Sequence, residues 1–133
     1  MIPTYDSYLN EKQPLTFAEM QQIHADLVSE IGTDADALDL YNELLRASVK
    51  YAGIRAKWPS LSKQEKIDQD ASRSACHDSV IIKINKLSRY LKTIGKEATW
   101  RESLGDESAD PYIRKRIGDF ACYLAFVNCL YAR

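Results

Sequence analysis

Asp70, Arg73 and His77 stand at i, i+3 and i+7 in the segment DASRSACHD. On a helix, side chains so spaced follow one another along one face and can hydrogen-bond in series. A carboxylate beside a guanidinium stays ionised, and an imidazole flanked by both can take up or release a proton near neutral pH. Asp78 directly follows His77. Asp70, Arg73, His77 and Asp78 are therefore the catalytic candidates. The competing reading is a satisfied structural network that orients helices, because charges withdrawn from water are costly unless paired and ionisable clusters are frequently structural.

A second set comprises His24, the His77–Asp78 pair and Asp119, imidazoles and carboxylates of the kind that hold a divalent metal. In order and outline the set resembles the His-Asp phosphohydrolases, in which a histidine, an adjacent His-Asp pair and a later aspartate gather around a metal within a helical bundle. That resemblance implies a metal on His24, His77, Asp78 and Asp119. The surroundings of the pair, ACHDSVIIK, depart from that family's apolar lead-in and glycine follow-on. The leading expectation is no cofactor, with a divalent metal as the alternative, and His24 is then a core histidine bonded to a neighbouring carbonyl or side chain.

Arg73 and His77 also resemble the Arg-to-His motif of prokaryotic nucleotide-binding helical ribonucleases. Three residues intervene here, where those enzymes usually have four or more, so the two side chains stand one turn apart. The triplet Arg114, Lys115 and Arg116 could touch phosphate, although a short basic run at a helix start is more commonly a solvated face.

These residues need helices to position them. Residues 1–15 carry Tyr5, Tyr8 and Leu9 between Pro3 and Pro14 and are either an arm packed across the body or a frayed end; the three apolar anchors favour packing. Thr16 and Glu19 form a capping box, and Gly32 supplies the stop. Between them Phe17, Met20, Leu27, Val28 and Ile31 make one stripe with His24 in its middle, which points His24 into the core. Thr33 or Asp34 caps a second helix running to about Trp58, where Pro59 disfavours helix at the residue before it. Its stripe is Leu38, Tyr41, Leu45, Ser48, Val49, Ala52 and Ala56.

The third helix opens with the Ser62–Glu65 capping box and ends at Gly95, a rod of about 48 Å. Apolar residues cover more than half its circumference, so it is expected to be the central helix, with Asp70, Arg73 and His77 on its buried side. A short helix spans Glu97 to Leu104, anchored by Trp100 and Leu104 and closed by Gly105. Asp110 and Pro111 start a last helix that ends in FACYLAFVNCLYA, a core helix or a subunit interface. No alternating strand pattern and no repeat is found. The expected fold is all-α, one domain over residues 1–133, a bundle of four long helices plus one or two short helices.

Charged residues make up 28% of the chain with a net charge of −1 and a pI near 6.1, so no global field draws it to nucleic acid or an anionic membrane. No run of about 18 apolar residues suggests a membrane span, and the N-terminus lacks a secretory pattern; the expected location is cytoplasmic. Cys76, Cys122 and Cys129 have no metal-ligand spacing and read as reduced, buried small hydrophobes.

Taken together, Asp70 to Asp78, NKLSRY at 85–90, Trp100, RIGDFAC at 116–122 and the terminal Arg133 resemble a bacterial family of small helical proteins with no assigned function, over residues 60–133. The resemblance implies that Asp70, Arg73, His77, Asp78, Arg116 and Asp119 belong together. Gly118 costs about 1 kcal/mol inside a helix relative to alanine, which close helix contact would explain. The last helix should therefore cross the third at Gly118, with Arg116, Asp119 and Arg89 as ligand-binding candidates. The expected function is a binding or interaction module with a polar Asp/Arg/His seam, dimeric through its C-terminal helix. An enzyme of either kind above is the alternative.

Overall fold

The computed structural model describes residues 15–104 and the helix 111–131, with the side chains of 117–128 in that helix. The expected arm at 1–15 lies outside the described residues apart from Leu15, which is buried; the cap at Asp110, the stop at Gly105 and the side chains of Arg114, Lys115, Arg116 and Cys129 also lie outside them. Among the described residues every regular element is helical, and the protein is all-α.

Helix α1 (Phe17–Ile31) starts where the chain contains a capping box. The Thr16 Oγ1 accepts from the Glu19 N–H at 3.1 Å, and Glu19 Oε1 accepts from the Thr16 N–H at 3.3 Å, satisfying two otherwise orphan donors. Gly32 ends the helix at a φ of 52°, a conformation that side chains resist. Met20, Ile23, Leu27 and Ile31 are buried, whereas Phe17 and Val28 are 44% and 45% exposed. The true stripe is thus rotated from the expected one, and His24 sits on its edge, half-buried, rather than in its middle.

Helix α2 (Ala35–Lys57) is capped by Asp34, whose Oδ2 accepts from the Ala37 N–H at 2.9 Å and from the Tyr90 hydroxyl at 2.7 Å. These two bonds, the tyrosine's first, hold the Asp34 carboxyl below the ordinary range. Pro59 does not force Trp58 out of the helical region, contrary to expectation: Trp58 has φ −53° and ψ −47°. It begins a 3-10 turn, Trp58–Ser60, whose first turn holds the proline where its missing N–H breaks no bond.

Helix α3 (Lys63–Thr93) carries the expected Ser62–Glu65 box. Its buried residues begin only at Cys76 and continue through Val80, Ile84, Leu87, Ser88 and Leu91. Ahead of Cys76 the helix runs past the core, and Ile67 is 62% exposed. It is α2, packed along both α3 and the last helix, that occupies the centre. The expectation of α3 as the central helix is corrected accordingly.

Helix α4 (Thr99–Ser103) is fixed by one carboxylate of α1. Glu30 Oε1 accepts from the Trp100 indole at 2.7 Å and Oε2 from the Ala98 N–H at 3.0 Å. Ala98 has a φ of 53°, left-handed for a non-glycine residue. Helix α5 (Pro111–Tyr131) presents Ile117 to Ala125 entirely to the interior. Of the two readings of this apolar end, that segment is core.

Candidate functional site

The polar groups that meet inside the molecule come from α2, α3 and α5. Arg55 Nη2 donates to Asp119 Oδ1 at 2.7 Å, with the Asp119 side chain 0% and the Arg55 side chain 10% exposed. Arg55 Nη1 lies 3.7 Å from the Cys122 thiol. Burial pushes Cys122 up to about 11, far from a thiolate at neutral pH. Burial alone would lower the Arg55 guanidinium. Cys122, Tyr51 and Asp119 together outweigh it and hold Arg55 above its ordinary value.

Gly118 is the place where the helices close on one another. A Cβ there would stand 3.0 Å from Tyr51 Oη and 3.3 Å from both Arg55 Nη1 and His77 Nε2. A phenol, a guanidinium and an imidazole thus converge over one turn of α5, where a side chain would crowd them. The Tyr51 and His77 rings are 5.2 Å apart between centroids. Burial raises the Tyr51 hydroxyl above its usual value against the pull of Arg55.

The sequence-predicted candidates separate. His77 and Asp119 join this seam. Asp70 does not: it is 58% exposed and pairs with Arg73 Nη2 at 2.9 Å on the surface. Arg73 turns its guanidinium over the Trp58 ring, 4.7 Å from the centroid. Asp78 and Arg89 are exposed. The expected buried cluster of Asp70, Arg73 and His77 is therefore corrected. The three do share a face of α3, but Asp70 and Arg73 lie on the turns before Cys76, beyond the end of the core. Asp119 is paired by Arg55 of α2.

His24 is elsewhere, its Nε2 2.9 Å from the Tyr41 hydroxyl and its ring 5.7 Å from that of Tyr123. His24, His77, Asp78 and Asp119 are not gathered, and among the described residues no three His, Cys, Asp or Glu side chains form a group able to hold a metal. Tyr51 and Arg55 were missing from the sequence-based candidates. The signal that could have found them is their i, i+4 spacing on the α2 face that also carries Ala37, Leu44 and Ser48, all buried.

Among the described residues no helix is long and apolar enough to cross a membrane. Comparison with protein-family models, with curated proteins and with solved structures finds no match to this chain.

Proposed function

We propose that this chain is a cytosolic helical binding or interaction module, its four long helices acting as a bundle that holds Tyr51, Arg55 and His77 as the recognition group for an acidic moiety of a ligand or partner. The observation that supports this reading is the convergence over Gly118 of the Tyr51 phenol and the His77 imidazole beside the Arg55 guanidinium, which Asp119 holds in place. Phenol, guanidinium and imidazole can all donate to carboxylate or phosphate, and groups ordered in advance lose little freedom on binding.

Calorimetric titration with phosphate and with acetate, at matched ionic strength in chloride, tests it. The expected result is saturable millimolar binding of one of these anions, weakened about tenfold by His77→Gln. Absence of saturable binding to both would overturn recognition of an acidic group. Self-association belongs to the same reading. With Ile117 to Ala125 occupied by the core, the surface left on α5 includes the half-buried Phe126 and Val127. Sedimentation should give a dimer mass, and a monomer at high concentration rejects this part.

A further inference from the structure

A groove of 210 Å³ lies between α1, α2 and α5 and shares no lining residue with the seam at Gly118. Its walls are Val28 from α1, Leu45 from α2, and Leu124 and Val127 from α5. His24 and Tyr41 supply polar atoms, 2.9 Å apart, and Asn128 adds an amide. No charged side chain lines it among the described residues.

We propose that this groove is a second binding site, for a small, neutral, largely apolar molecule that sets one hydroxyl or carbonyl against the His24–Tyr41 pair. Size is the first argument: an apolar cavity of about 150 Å³ admits benzene, so 210 Å³ accepts a six-membered ring with a short polar substituent. Charge is the second. Burial lowers the His24 pKa from 6.5 and raises the Tyr41 hydroxyl to about 12, so both are uncharged at pH 7. A charged ligand would find no charged side chain to pair with among the described residues of the lining. Chemistry is the third: four aliphatic walls with a few polar groups are the composition of a small-molecule site. The neutral imidazole and phenol retain donor and acceptor capacity beyond their mutual bond.

The test is a methyl-labelled NMR titration of the full chain with benzyl alcohol, toluene and benzoate. Benzyl alcohol should shift the methyls of Val28, Leu45, Leu124 and Val127 saturably in the millimolar range. Toluene should bind about fivefold more weakly, the effect of one net hydrogen bond, and benzoate should produce no saturable shift. Val28→Trp, at a position 45% exposed, should block the groove and weaken benzyl alcohol at least about tenfold. Should that variant fail to fold, Leu45→Trp fills the opposite wall with the same expectation. Tyr41→Phe should bring toluene and benzyl alcohol to near equality. The proposal is overturned by the absence of saturable methyl shifts, by benzyl alcohol binding unchanged in a folded wall variant, or by benzoate binding as tightly as the alcohol.

Discussion

Arg55 and Asp119 form a 2.7 Å ion pair between the last turns of α2 and the buried stretch of α5, with the carboxylate wholly out of water. Removing one member leaves the other buried without its main partner. Asp119→Ala should cost about 3–5 kcal/mol in urea denaturation, whereas Arg55→Met with Asp119→Leu should recover most of that loss. Equal destabilisation of single and double variants would show that the pair is not the unit.

Gly118 sets how closely α5 approaches α2 and α3. Gly118→Ala gains about 1 kcal/mol of helix propensity but places a methyl 3.0 Å from Tyr51 Oη and 3.3 Å from Arg55 and His77. Tyr51 is a rigid ring only 6% exposed, and Arg55 is held by Asp119, so the crowding term of about 1–3 kcal/mol outweighs the propensity gain. Net destabilisation is expected, relieved by adding Tyr51→Phe, which removes the nearest atom. A stabilised Gly118→Ala would contradict the close approach.

Glu30 joins α1 to α4 through Trp100 and the left-handed Ala98. Glu30→Ala leaves the indole N–H of a Trp100 that is 1% exposed without this acceptor, a loss of about 1–3 kcal/mol. Glu30→Gln keeps an acceptor and should lose less. Tryptophan fluorescence during unfolding reads both.

Acid should act partly through His24. Its folded pKa is below 6.5 because burial disfavours the imidazolium, so below pH 6.5 the unfolded chain binds more protons at this site. The stability contribution is therefore present above pH 6.5 and is lost as pH falls through the folded value, at no more than about 1.4 kcal/mol per pH unit. His24→Leu should flatten the stability profile just below pH 6.5. An unchanged slope would show that His24 does not carry the acid sensitivity.

How much of this was legible in the residues depends on how local the signal was. Capping boxes at Thr16 and Ser62, the Asp34 cap and the glycine after Ile31 are contained within a few residues, and each stands where the pattern places it. Facing was harder. On α2, at about 100° per residue, Arg55 shares an azimuth with Ala37, Leu44 and Ser48, all buried. A stripe drawn through Leu38 and Val49, each 40% exposed, is rotated away from it and passes Arg55 by. On α3 the azimuth was right, but periodicity carries no information about where along the axis the neighbouring helices stop. Asp70 and Arg73 therefore fell on the correct side of a helix that had already left the core. Gly118 pointed to close contact correctly because a mid-helix glycine is costly unless something occupies its side-chain space.

On the proposed function, Tyr51 and His77 are held over Gly118 for recognition rather than for stability. The most direct measurement compares unfolding free energy and phosphate or acetate affinity in the Tyr51→Phe, His77→Gln double variant. Stability within about 1.5 kcal/mol of the parent chain is expected, since Tyr51→Phe keeps its ring and glutamine approximates the volume of the imidazole, together with at least a tenfold loss of anion affinity. A collapse of stability, with no anion affinity in the parent chain to lose, would contradict it and make the seam structural.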